Sequence, residues 1–319
     1  PGALSWSPDG RYLAFISAVE GLSSDLYLYD TRTQSLRRAT GGLNQVASPV
    51  WSPDSLWVII QEVANFTVDP GWKLGPVWAV ATDHNEIRKL FVPPANSTRE
   101  RIIGWIGQDT AVVMTQAPGS ARDIREVPLS ARRIGQLYGG PMDEAAFDPT
   151  TKSIAIRESQ LTGKQLGLAP GLYQIIGLKG VPQYVQAGDW DRLEWSPAAS
   201  RFFASGQQGL LLFSPAGENV LLKGEAWGST SPSGLWLICW GDARVGSRPG
   251  LRLYRPGGEL LQEVAGDPVQ QVTWQPDSKA FYFLSGGKLY RTAFPDARPE
   301  LVDQDVQPGS LAWAGFPAR

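Results

Sequence analysis

Apolar and polar residues alternate in short runs along the whole chain, and turn residues interrupt the runs at regular distances. SerProAspGly at 7–10 is followed by TyrLeuAlaPheIle at 12–16, and AspLeuTyrLeuTyrAsp at 25–30 alternates with period two. Such alternation predicts half-buried β-strands. In the turn, proline sets φ, aspartate hydrogen-bonds its own backbone and glycine accepts positive φ. No stretch sustains a 3.6-residue period, so helix is expected to be scarce.

The pattern repeats. Aligned on Trp6, the anchors are Trp51, Trp105, Phe147, Trp195, Thr230, Trp274 and Trp313, spaced 35 to 54 residues apart. That period is close to the roughly 40–50 residues of a four-stranded propeller blade. Four antiparallel strands cannot bury both faces alone, and stacking such sheets buries the faces between neighbours. The expected fold is all-β: a single β-propeller domain over 1–319, built of four-stranded antiparallel blades. Seven blades are read, near 1–45, 46–100, 101–142, 143–189, 190–225, 226–268 and 269–308, with a closing strand at 309–315. Six or eight are the alternatives, because residues 2–6 and Trp313 both read as a first strand. The third unit is the most degenerate, since TrpIleGlyGlnAspThr lacks the proline.

WSPDGRYLAF followed by DLYLYDTRTQSLRRAT resembles the TolB-like propeller repeat, and it recurs at Trp51, Trp195 and Trp274. The resemblance covers essentially the whole chain. It implies the propeller fold and leaves function open, because the repeat occurs in periplasmic TolB, in prolyl-oligopeptidase-like propellers and in many surface proteins. It also implies an extracytoplasmic, periplasmic or cell-surface setting.

Composition narrows the classes. Thirteen Trp residues supply large apolar surface for a core. With 29 basic and 31 acidic residues, a net charge of −2 carries no electrostatic footprint for nucleic acid or an anionic membrane. The lone cysteine, Cys239 in an apolar run, allows no internal disulfide and reads as a buried strand residue. No apolar run approaches the ~20 residues of a membrane-spanning helix, and no signal peptide is visible. The opening ProGlyAlaLeuSer, already inside a repeat, reads as an excised or mature segment. A monomer is expected.

The chemistry is sparse. His84, the only histidine, falls in a turn, and no GxSxG elbow accompanies it. There is no HExxH and no CxxC, and neither a metal nor another cofactor is expected. The SerProAsp carboxylates Asp9 and Asp54, with Asp277 in GlnProAsp, recur and therefore read as turn structure. What departs from the repeat is more informative: insertions at 63–75, 158–170 and 240–249 are expected to rim one face of the propeller. The candidate binding residues there and on neighbouring segments are Phe66, Trp72, Lys73, Arg157, Glu158, Trp190, Trp240, Asp242 and Arg244. Aromatic side chains beside arginines resemble an interaction hot spot. The first expectation is therefore a non-enzymatic module that holds a protein or peptide. One alternative is an enzyme sited in the channel, a lyase or glycan-active propeller, using carboxylates or a metal; Asp189, Asp191, Glu194, Glu62 and Arg157 are the groups available. Another is a structural domain of a longer bacterial surface protein.

Overall fold

A computed structural model describes residues 2–19, 23–65, 73–95, 97, 99–116, 122–130, 133–140, 142–158, 170–178, 180–241, 246–294 and 296–306. Among them there are strands and turns and no helix. The fold is an all-β propeller of seven four-stranded antiparallel blades.

Blade 1 holds β1 (Gly2–Trp6), β2 (Tyr12–Ser17), β3 (Asp25–Asp30) and β4 (Ser35–Arg38). Blade 2 holds β5 (Gln45–Trp51), β6 (Trp57–Asn65), β7 (Lys73–Ala81) and β8 (Ile87–Phe91). Blade 3 holds β9 (Arg99–Ile106), β10 (Thr110–Gln116), β11 (Arg122–Pro128) and β12 (Gly135–Gly140). Blade 4 holds β13 (Glu144–Asp148), β14 (Ser153–Glu158), β15 (Gly171–Ile175) and β16 (Gln183–Ala187). Blade 5 holds β17 (Trp190–Ser196), β18 (Arg201–Gly206), β19 (Gly209–Phe213) and β20 (Asn219–Leu222). Blade 6 holds β21 (Trp227–Thr230), β22 (Leu237–Trp240), β23 (Leu251–Tyr254) and β24 (Leu260–Ala265). Blade 7 holds β25 (Gln271–Trp274), β26 (Ala280–Ser285), β27 (Lys288–Ala293) and β28 (Pro299–Gln304).

Each sheet is a simple meander in chain order. The degenerate third unit forms a blade like the others. The proposed closing strand at 309–315 lies outside the described residues. The first insertion is shorter than the sequence suggests, because β6 runs on to Asn65 and β7 begins at Lys73. Two compact units divide the chain, one holding blades 1–3 and the other blades 4–7.

The SerProAsp turns show why the repeat is conserved within the chain. Ser7 Oγ donates to Asp9 at 2.6 Å and accepts from the Tyr12 amide at 2.8 Å, while the Asp9 carboxylate takes the Arg11 amide at 3.1 Å. Ser52 and Asp54 repeat the arrangement in blade 2. The fifth motif position needs a left-handed backbone: Gly10 has φ 70° and Gly234 has φ 72°. Ser55 and Ser278 occupy the same place at φ 63° and 60°, a strained choice for a serine. Their hydroxyls repay it by linking blades. Ser55 Oγ accepts from the Asp9 amide at 3.1 Å, and Ser278 Oγ accepts from the Ser233 amide at 2.9 Å. The anchor tryptophans do the same work deeper in: Trp51 Nε1 donates to Ser5 O at 3.1 Å and Trp274 Nε1 to Ser229 O at 3.3 Å.

Between blades, each unit is apolar. Tyr12, Leu28, Trp51 and Ile60 join blades 1 and 2, and Ala146, Leu172, Leu193 and Phe202 join blades 4 and 5. Cys239 is buried in β22 among Phe203, Leu212 and Tyr254. Burial raises its thiol pKa well above the ordinary value, so it is an inert packing residue.

Candidate functional site

In a blade the first strand is the inner one, and its side chains can be compared place by place. Three residues before each anchor stand Ala3, Ser48, Ile102, Glu144, Arg192, Trp227 and Gln271. One residue before stand Ser5, Val50, Gly104, Ala146, Glu194, Ser229 and Thr273. Charge occurs at these two places only in blades 4 and 5. These charges single out blades 4 and 5.

The structure brings these charges together. β13 and β17 pack side by side. Glu144 stands opposite Arg157 in the β13–β14 register. Its carboxylate accepts the Leu193 amide of β17 at 3.2 Å, and the Arg157 guanidinium donates to the Trp190 carbonyl. Leu193 and Trp190 turn into the core at 3% and 2% exposure, while Asp191, Arg192 and Glu194 face water. Arg192 lies over the Trp227 ring at 4.2 Å, which fixes its guanidinium on the same side.

Glu194 is the unusual member. The residue is exposed, and protein packed around it still desolvates its carboxyl. Desolvation is the first cause that raises its pKa; the Glu144 charge adds to the shift and Arg192 opposes it. Two carboxylates from adjacent blades thus stand in unlike surroundings: Glu144 accepts a backbone amide, and the Glu194 pKa is raised, chiefly by desolvation. Paired carboxyls in unlike surroundings are the usual basis for dividing acid and base roles. Two buried donors beside them, Arg157 Nε and Trp190 Nε1, have no acceptor.

The residues expected from sequence fall in different places. Arg157 and Trp190 belong to this cluster, and Glu194 joins them. Glu158 is fully buried at the end of β14. Trp240 is half-buried and packs against the Trp274–Phe281 core. Lys73 opens β7 opposite Asn65. Phe66, Trp72, Asp242 and Arg244 lie outside the described residues. Glu62 is saturated, accepting from Asn44 Nδ2 at 2.8 Å and Trp78 Nε1 at 2.9 Å. His84 is an exposed turn residue between Asp83 and Glu86, whose carboxylates raise its pKa. Glu144 and Arg192 escape a motif search; their signal is charge at inner-strand places that are uncharged in the other blades.

No family model matches the chain. The chain is 44% identical over 55 residues to "Uncharacterized peptidase YuxL" of Bacillus subtilis; the match covers 17% of this chain and 8% of that protein. Among solved structures it resembles "Oligogalacturonate lyase in complex with manganese", with TM-score 0.63, 15% identity and coverage of 91% of this chain and 88% of that one. It also resembles dipeptidyl peptidase 4 of Porphyromonas gingivalis, with TM-score 0.58 and 12% identity; the match covers 89% of this chain and 50% of that one. At such identities the structural likeness establishes the propeller fold.

The comparisons correct one expectation. A non-enzymatic protein-binding module was expected because no nucleophile, histidine pair or metal motif stood in the sequence. The propellers that resemble this one belong to a lyase and a peptidase, and the sequence relative is a peptidase. That expectation rested on the absence of contiguous motifs, and a site assembled from separate strands need not contain one. Among the described residues, no three His, Cys, Asp or Glu side chains meet as a metal site would require.

Proposed function

We propose that the chain is a propeller enzyme of the TolB-like repeat class that moves a proton at the Glu144–Glu194 pair, acting on an oligosaccharide. The observation that carries this reading is the differentiated carboxyl pair: Glu194 raised by desolvation and by Glu144, and Glu144 held by the Leu193 amide. Glu194 donates a proton and Glu144 accepts one. Cleavage of a glycosidic bond, by elimination or by hydrolysis, uses such a division. Arg192 and Arg157 supply positive charge beside the pair and suit an acidic sugar. The resemblance to oligogalacturonate lyase supports the same class of substrate.

The test is a depolymerisation assay on oligouronides, with neutral oligosaccharides as controls, reading unsaturated products by ultraviolet absorbance and new reducing ends. Glu194→Gln should lower kcat by roughly 10²–10⁴ while leaving the melting temperature in place. Turnover by Glu194→Gln at the wild-type rate would remove Glu194 from the chemistry.

A second reading rests on the 55-residue likeness to a peptidase. These 319 residues have no GxSxG elbow and one histidine, exposed in a turn. In that reading the propeller admits peptide to hydrolytic groups that these residues do not supply. Peptidase activity of the full-length protein that survives Glu194→Gln would favour it.

A further inference from the structure

Blades 3 and 6 each carry a glutamate five residues before the anchor, Glu100 before Trp105 and Glu225 before Thr230. Glu225 is 2% exposed and fully bonded. Both its oxygens take the Arg252 guanidinium, Oε2 at 2.8 Å, and Oε1 also accepts the Tyr254 hydroxyl at 2.8 Å. The strand registers place Arg125 of blade 3 where Arg252 stands in blade 6, and Val127 where Tyr254 stands. Val127 cannot donate. Arg125 is taken by Asp123 at 2.6 Å, and Gln136 holds the other Asp123 oxygen at 2.7 Å.

A bulge in β9 sets Glu100 one place out of step with Glu225, and Glu100 has neither an arginine bond nor a tyrosine bond of its own. Its Oε2 accepts the Thr115 hydroxyl at 2.7 Å, and its Oε1 is buried with no partner. The Ser97 hydroxyl, in a residue only 6% exposed, lies near enough to the same carboxyl to lower its pKa but completes no well-formed hydrogen bond with it. We propose that Glu100, Ser97 and Thr115 form a binding site for a small monovalent cation.

The chemistry favours one positive charge. The site offers a carboxylate oxygen and two hydroxyl oxygens, all hard donors, with a single negative charge to balance. Arg125 already lies close enough to act on that charge. A divalent ion would ask for more carboxylates than stand here. Without the cation, burial dominates Thr115, Arg125 and Ser97 and raises the carboxyl to about 7. This inference is independent of the proposed oligosaccharide activity, since it concerns a different blade and is read without substrate.

The experiment is thermal unfolding of the whole chain at pH 8 in potassium, sodium or ammonium chloride, against tetramethylammonium chloride at equal ionic strength. At least one small cation should raise the wild-type melting temperature saturably, by about 2–4 °C well above its Kd. Glu100→Gln should abolish the rise and Ser97→Ala should weaken it. For the wild type the same rise should vanish at pH 5, where a proton occupies the carboxyl; this arm holds even if a variant misfolds. An equal response in wild type and Glu100→Gln, no response to any small cation, or a response unchanged at pH 5 would overturn the site.

Discussion

Glu225 and Glu100 each stand five residues before an anchor and have opposite surroundings. Blade 6 closes its glutamate with an arginine and a tyrosine, and the same contacts raise the Tyr254 hydroxyl well above its ordinary pKa, chiefly by burial and then through Glu225. Blade 3 has the arginine, diverts it to Asp123 and replaces the tyrosine with valine. A buried charge with every lone pair occupied is a structural element. A carboxyl with an oxygen left over is available for a proton or a ligand. Residue type and distance from the anchor are shared; the hydrogen-bond partners are not.

The comparison can be broken most forcefully in blade 6. Glu225→Ala leaves the Arg252 guanidinium buried without its carboxylate, and the expected loss is about 3–5 kcal/mol in denaturant unfolding. A loss under roughly 1 kcal/mol would mean that the closed network does not hold the blade. Blade 3 can be pushed toward the blade 6 arrangement instead. Asp123→Ala releases Arg125 and removes a negative charge, so the Glu100 carboxyl should fall from about 7 toward the usual carboxylate range, followed by ¹³C NMR titration.

Stability against pH sharpens the same contrast. Glu100 has a raised folded-state pKa, so folding takes up a proton between the ordinary glutamate range and about 7. Its favourable contribution is fully present below that range and is lost as pH rises through about 7. Glu100→Gln should flatten that part of the wild-type stability profile. Smaller again is Tyr254→Phe, expected to cost about 1–2 kcal/mol by removing one buried bond to Glu225. Ser278→Ala, which deletes the bond to the Ser233 amide between blades 6 and 7, should cost about 1 kcal/mol.

Much of the fold is legible in the sequence because its signals are local. The SerProAsp turns, the period-two strands and the anchor spacing each act over a few residues, and they recur often enough to check one another. The inter-blade bonds of Ser55 and Ser278 are less visible, since a glycine-to-serine change at a left-handed position looks like a weaker turn until the neighbouring blade is present. The candidate cluster is harder still. Arg157, Trp190 and Glu194 stand out individually, but Glu144 and Arg192 become conspicuous only when inner strands are compared place by place. Their meeting depends on the packing of β13 against β17, which no local pattern encodes. Loops drew attention because they fail to repeat, yet strand positions can fail to repeat as well.

The central claim is that the Glu194 pKa is raised because the surrounding protein desolvates its charge and Glu144 repels it. A ¹³C NMR titration of the glutamate carboxyl carbons in wild type and Glu144→Gln tests it without a substrate. The account predicts a wild-type Glu194 pKa above the ordinary glutamate range, and a lower value once Glu144 is neutral. An ordinary Glu194 pKa in the wild type, or one that Glu144→Gln leaves unmoved, would contradict it.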